Sequence, residues 1–117
     1  AAHPYCYYRS GLGNITQSLD VDAMETKNSR YILGISNYLS KKVSNKNNIP
    51  EIGASDAHFV EGIGCCYTEI PVTDSVDTLL KYIKKGKSTA HGKRTPMDLI
   101  IREVIRKKGH RTKPKEN

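Results

Sequence analysis

Short apolar segments alternate with longer segments of helical periodicity, and this alternation limits the fold of the chain more than any other feature. Four segments predict short strands: VDAMETKN (21–28), IPEIGAS (49–55), GCCYTEI (64–70) and STAHG (88–92). Helices are predicted between the first and second of these strands, between the third and fourth, and after the fourth, whereas DAHFVEGI (56–63) between the second and third is predicted as a loop. An order of strand, helix, strand, helix with short connections is typical of parallel β/α units, so the sequence predicts an α/β fold.

Each predicted helix has an apolar stripe and a terminal signal. The first follows a candidate cap at Asn28 or Ser29, and the second, SVDTLLKYIKKGK, ends at Gly86. The third opens at Thr95-Pro96, where proline is favoured in the first turn. The predicted core-facing residues at helical spacing are Ile32, Ile35, Leu39 and Val43, then Val76, Leu79, Leu80 and Ile83, then Leu99, Ile100, Ile101, Val104 and Ile105.

Two loops that follow predicted strands carry side chains able to bind a metal. The first residues, AAHP, are typical of a strand end, with small residues before His3 and with Pro4 ending regular pairing, and Asp56 and His58 follow IPEIGAS. A Ser-Asp sequence after a strand can simply close a turn by local hydrogen bonds. However, loops at the carboxyl ends of parallel strands carry the chemistry of such folds, and here two of them do. The pattern therefore favours a metal site over a turn.

Three sequences together, AAHPY, DAMETKN and GASDAHFVEGIG, resemble the PHP family, the polymerase and histidinol phosphatase domain. Its members are metal-dependent phosphoesterases built on a distorted β/α barrel. AHP at 2–4 is similar to the third metal motif of the family and SDAH at 55–58 to the fourth. The resemblance extends over roughly residues 1–95 and implies the C-terminal β/α units of such a barrel.

The resemblance implies that His3, Asp56 and His58 are metal ligands. Carboxylate and imidazole donors suit Zn²⁺, Mn²⁺ or Fe²⁺. It also implies hydrolysis of a phosphomonoester, a nucleotide or a nucleic-acid end, with Asp56 positioning or deprotonating the attacking water. A phosphorylated small molecule or a nucleic acid is then the expected partner.

The chain departs from the family pattern in its missing motifs. No H-x-H occurs in the 117 residues, and the second motif with its His and Glu is also absent. We therefore expect residues 1–106 to be the C-terminal part of a PHP-type domain from a longer protein. The chain by itself would then bind metal weakly and lack activity. Residues 107–117 are basic and polar, and we expect a disordered tail there.

Three further residues are candidates with a second interpretation each. Arg9 could hold a substrate phosphate or lie on the surface, and His91 could contact that phosphate or be solvated. Glu25 ends a predicted strand, where a role in supporting the ligands or a structural role is favoured over direct ligation.

Charge distribution supports an alternative from a different class. Residues 81–117 hold 13 Lys and Arg against three Asp and Glu, whereas residues 1–80 hold six against nine. The basic C-terminal third could bind a nucleic acid without catalysis, or could be a solvated helix face with a tail.

The remaining features concern location and assembly. The three cysteines, Cys6, Cys65 and Cys66, form no metal or disulfide pattern, and we expect neither a signal peptide nor a membrane span. A cytoplasmic location is therefore expected. Part of a barrel would expose sheet edges and apolar surface, so we expect the chain either to self-associate or to be stabilised by a missing N-terminal segment.

Overall fold

The computed structural model describes residues 1–8 and 10–111, with side chains through residue 107. Its regular elements are β1 (Met24–Asn28), α1 (Ile35–Asn47), β2 (Glu51–Ala54), β3 (Cys66–Glu69), α2 (Val76–Lys84), β4 (Thr89–Gly92) and α3 (Met97–Arg111). Two short 3₁₀ helices, Gly13–Ser18 and Val60–Gly62, lie in the connections. The predicted mixture of strands and helices is confirmed.

The first pair of strands, β1 and β2, is parallel, as predicted. The opposite edge of β1 is covered by the first residues of the chain. There the Ala1 nitrogen donates to the Ala23 carbonyl at 2.7 Å and the Glu25 N–H donates to the Ala1 carbonyl at 2.9 Å. Three chain segments therefore lie side by side and end at the same edge.

The second pair, β3 and β4, is antiparallel, so the prediction of parallel units throughout is wrong here. A parallel crossover needs a helix packed on the sheet, but α2 has no buried residue. The described strands form two two-stranded sheets and no closed barrel, so the barrel part of the fold prediction is not confirmed.

Close backbone packing joins the two sheets at Gly53. The Thr68 hydroxyl accepts from the Gly53 N–H at 3.0 Å and donates to the Gly53 carbonyl at 2.8 Å. A Cβ atom at Gly53 would lie 2.5 Å from the Tyr67 carbonyl oxygen. Only glycine permits this approach, which fixes β2 against β3.

The buried face of α1 differs from the predicted stripe. Ser36, Ser40 and Ser44 are buried, whereas Ile35 is exposed and starts the helix. The predicted cap at Asn28 or Ser29 is also wrong, because Gly34 occupies the N-cap position. Small serine side chains let the helix backbone approach β1 closely, which an isoleucine stripe would prevent.

Helix α3 begins after Thr95-Pro96 as predicted and buries Ile100 and Glu103. It runs to Arg111, so residues 107–111 are helical where a tail was expected. The rest of the predicted tail, residues 112–117, lies outside the described residues. Within the described part of the chain, no helix has the length and apolar character needed to cross a bilayer.

Candidate functional site

A register shift in β1 aims two polar side chains at one place. Residues Glu25 and Asn28 are three apart, so a regular strand would place them on opposite faces. Between Glu25 and Lys27 the pairing with β2 shifts by one residue, so that Glu25 pairs with Ile52 and Asn28 with Ala54. The bulge therefore returns Asn28 to the face of Glu25, and both side chains are buried.

The Asn28 amide connects two carboxylates from different strands. Its Nδ2 donates to Glu25 Oε2 at 3.2 Å and to Asp56 Oδ2 at 3.0 Å. Its Oδ1 accepts from the Arg30 N–H at 2.8 Å. Carboxylates only accept and a peptide N–H only donates, so these partners fix which end of the amide is nitrogen.

His3 joins this cluster through its backbone. Its N–H donates to Glu25 Oε2 at 2.5 Å, and its φ of 30° places it in the left-handed region. The imidazole Nδ1 is buried and has no hydrogen-bond partner among the described residues. A buried ring nitrogen without a partner is costly, and it is available as a donor atom to a ligand.

Asp56 and His58 form the turn after β2. Asp56 adopts φ 50°, and its carbonyl lies 2.9 Å from His58 Nδ1. Arg30 Nη1 lies at the same distance, 2.9 Å, from that nitrogen. The carbonyl contact needs a protonated Nδ1 and the guanidinium contact needs an unprotonated one, so the two hydrogen bonds are alternatives.

A buried ion-pair group fixes Arg30 to α3. Arg30 pairs with Glu103, whose side chain is almost fully buried and also lies 2.5 Å from Lys107 Nζ. Burial by itself would raise the pKa of Glu103, but hydrogen bonds from Lys107 and Arg30 outweigh it and hold the pKa below its ordinary value. The carboxylate is therefore charged, and it orients Arg30 toward His58.

Hydroxyl groups attach the same region to the start of α3. Ser29 Oγ lies 2.7 Å from both the Ser55 carbonyl and Thr95 Oγ1, and the Thr95 N–H donates to the Ser29 carbonyl at 2.8 Å. The ends of β1, β2 and the β4–α3 connection are thus held together.

Of the residues predicted from sequence, the structure brings His3, Glu25 and Asp56 into one hydrogen-bonded cluster, with His58 beside Asp56. Glu25 contacts both the His3 N–H and Asn28. His91 instead lies on β4. Its ring stacks on Tyr67 with the ring centroids 5.7 Å apart, and its Nε2 lies 3.4 Å from Glu69 Oε2. Arg9 lies outside the described residues.

Metal binding receives only partial support from the geometry. Among the described residues, no three His, Cys, Asp or Glu side chains are grouped so that they could hold a metal ion. The cluster supplies carboxylate and imidazole donors of suitable chemistry, but as an incomplete set.

The three cysteines are unpaired thiols, and burial raises the pKa of the Cys66 thiol.

Sequence reasoning did not single out Arg30 and Glu103 and assigned Asn28 to a helix cap. No local signal marks Asn28, because its spacing of three from Glu25 would place the two side chains on opposite faces of a regular strand, and only the bulge brings them together. Glu103 lies three residues after Ile100 and four before Lys107, and this spacing places all three on one helix face.

The fold and the cluster define a mixed α/β chain with carboxylate, amide and imidazole groups at the ends of two parallel strands. Residues 34–88, just under half of the chain, match the model of the PHP-associated family. The resemblance to the C-terminal portion of a PHP-family protein is thereby confirmed, and the matched region includes Asp56 and His58. Comparisons with curated proteins and with solved structures gave no significant match.

Proposed function

We propose that this chain supplies part of the divalent-metal site of a PHP-type phosphoesterase. The observation that carries the proposal is the single cluster formed by His3, Glu25 and Asp56, which come from three separate segments of the chain. The expected reaction is hydrolysis of a phosphomonoester, a nucleotide or a nucleic-acid end.

The donor chemistry fits Zn²⁺, Mn²⁺ or Fe²⁺. The unpartnered Nδ1 of His3 provides a buried imidazole donor, and Asp56 provides a carboxylate. When His58 donates its Nδ1 proton to the Asp56 carbonyl, its Nε2 is left as the ligating atom. Because the described residues form no group of three donors, we propose that further ligands complete the site.

Individual residues would then have distinct roles in hydrolysis. A bound divalent cation would polarise the phosphoryl group and lower the pKa of a water molecule. Asp56 would orient the attacking water and accept its proton. The Asp56 carbonyl would hold the His58 ring in place by accepting its Nδ1 proton, and the role of Arg9 in binding the substrate phosphate stays a prediction.

Calorimetric titration of the purified chain with Mn²⁺ tests the site. We expect binding by the wild-type chain that is lost or weakened at least about tenfold in Asp56→Ala and in His58→Ala. Asp22→Ala is the matched control, because Asp22 is an exposed carboxylate paired with Lys84. Wild-type affinity in both Asp56→Ala and His58→Ala would overturn the proposal.

A second candidate, nucleic-acid binding without catalysis, is favoured by one surface. A groove of about 560 Å³ is lined by Tyr67, His91, Lys93 and Arg94, together with neighbouring loop residues. Stacked rings beside cationic side chains suit bases and phosphates. Here fluorescence anisotropy with a labelled oligothymidylate should show steep salt dependence, weaker binding by Tyr67→Ala, and no change in Asp56→Ala. No binding at low salt would exclude this candidate.

A further inference from the structure

We infer that a cleft between α1 and β4 is a binding site for a small organic anion that carries a planar ring. The cleft has a volume of about 480 Å³, which lies within the range of small-molecule sites. Its lining consists of Thr26, Lys27, Asn37, Tyr38, Lys41, Glu51, Thr89 and Ala90. None of these residues belongs to the cluster of His3, Glu25 and Asp56, so the inference does not depend on the proposed function.

Lys27 gives the cleft a positive charge that the described part of the chain does not neutralise. Every other residue of β1 is buried, whereas Lys27 is half-buried and lines the cleft. Its side chain makes no hydrogen bond or ion pair with any residue that the structure describes. A lysine that is partly removed from water is normally paired, and a bound anion would supply the partner that Lys27 lacks.

The carboxylate in the cleft lining, Glu51, is already committed to another lysine. Lys41 pairs with Glu51, and Thr26 Oγ1 donates to the same carboxylate oxygen at 3.1 Å. Burial by itself would raise the pKa of Glu51, but the contacts with Lys41 and Thr26 lower it, so the carboxylate is charged at neutral pH. The lining therefore holds two cations and one anion, and the excess charge is that of Lys27.

Tyr38 supplies an exposed planar surface to the same cleft. It lies in the first turn of α1 and is 66% exposed. Its ring stacks on no other aromatic ring among the described residues. An aromatic ring with a free face can stack on a planar ligand, and a nearby ammonium group suits a phosphate or carboxylate on that ligand.

The cleft is held in shape without a ligand. Asn37 attaches the first turn of α1 to the end of β1, because its Oδ1 accepts from the Asn28 N–H at 2.8 Å and its Nδ2 donates to the Asn28 carbonyl at 3.0 Å. The Lys41–Glu51 pair attaches α1 to β2. Binding would therefore require little ordering of the chain, which favours affinity.

Calorimetric titration of the purified chain with adenosine monophosphate (AMP), without added metal, tests the inference. We expect AMP to bind more tightly than adenosine, which lacks the anion, and more tightly than ribose phosphate, which lacks the planar ring. Lys27→Met keeps the aliphatic stem and removes the charge, so it should weaken AMP binding at least about tenfold. Tyr38→Ala should weaken it about fivefold or more through the loss of stacking.

Two further variants separate the charge of Lys27 from its place in the fold. Lys27→Arg keeps a cation at this position and should keep most of the AMP affinity. Lys46→Met is the matched control, because Lys46 lies in the last turn of α1 and outside the cleft. It should leave AMP affinity unchanged.

The outcomes distinguish this cleft from the other two candidate sites. AMP binding that is weakened in Asp56→Ala or Tyr67→Ala but has wild-type affinity in Lys27→Met would place the ligand elsewhere and overturn the inference. No AMP binding at millimolar concentration would also overturn it, as would equal affinity for AMP and adenosine. Neither result bears on Mn²⁺ binding, which tests the proposed function separately.

Discussion

At the scale of single residues, Glu103 shows how a buried charge is stabilised. Its carboxylate lies between Arg30 and Lys107, and these partners lower its pKa despite the burial of the group. Since the folded chain favours the charged form more than the unfolded chain does, the ion pairs contribute stability above the ordinary carboxyl pKa of 4.5. That contribution is lost as the pH falls through the lower folded value.

Glu103→Gln should therefore destabilise the chain in a pH-dependent way. We expect its free energy of unfolding at pH about 7 to be lower than that of the wild type by about 1–3 kcal/mol. The difference should shrink below the pKa of 4.5, where the unfolded carboxyl of the wild type becomes protonated. Urea denaturation at a series of pH values measures both quantities.

The matched control lies five residues earlier on α3. Asp98 is exposed and pairs with Arg102 at 3.8 Å, so Asp98→Asn should change stability by less than about 0.5 kcal/mol at any pH. A Glu103→Gln deficit that stays constant down to pH about 3 would contradict the ion-pair explanation.

At the scale of elements, α1 packs through serines that differ in their hydrogen bonds. Ser44 Oγ donates to the Ile49 carbonyl at 2.7 Å, whereas the fully buried Ser40 Oγ has no partner among the described residues. An unpartnered buried hydroxyl costs free energy that a methyl group does not. The two serines therefore form a natural pair for comparison.

Ser40→Ala should leave stability unchanged or raise it by about 1 kcal/mol, because it removes the unpartnered hydroxyl and improves helix propensity. Ser44→Ala should lower stability by about 1 kcal/mol, because it removes a made hydrogen bond. Thermal unfolding of the two variants measures the difference. A larger loss in Ser40→Ala than in Ser44→Ala would show that this assignment of the α1 interface is wrong.

At the scale of the whole molecule, apolar surface is unusually exposed. Leu33 is 65%, Ile35 is 53% and Tyr38 is 66% exposed, and all three lie in or just before the first turn of α1. Many of the buried side chains are polar instead, including Glu25, Asn28 and Glu103. Exposed apolar side chains that lie this close together along the chain are typical of a surface that is covered by a partner.

We therefore expect the chain to self-associate in a concentration-dependent way. Sedimentation velocity should show species larger than the monomer, and Leu33→Lys combined with Ile35→Lys should shift the population to monomer. Val72→Lys is the control, because Val72 is fully exposed at a distance in sequence from this patch. A single monomeric species of the wild type at every concentration would contradict this expectation.

Local sequence signals indicated most of the elements of this protein and the loops that form its candidate site. Ser75 accepts from the Thr78 N–H and caps α2, and Pro96 precedes α3, because caps and proline act within one turn of the chain. The sequence also selected one set of candidate ligands: His3, Asp56 and His58. Each of them follows a predicted strand, and the end of a strand can be predicted from the residues around it. The PHP-associated match over residues 34–88 agrees with the motif that holds two of them.

Only the tertiary structure decided the strand directions, the serine face of α1 and the position of Asn28 between two carboxylates. Each depends on atoms that are distant along the chain: the Tyr67 carbonyl that excludes a side chain at Gly53, the close approach of α1 to β1, and the carboxylate of Asp56 beside the Asn28 amide. A periodic pattern records which side chains are apolar, but not which backbone will come within van der Waals distance. The physical reason is that packing distance and hydrogen-bond partners are properties of the assembled chain, whereas propensity is a property of each segment.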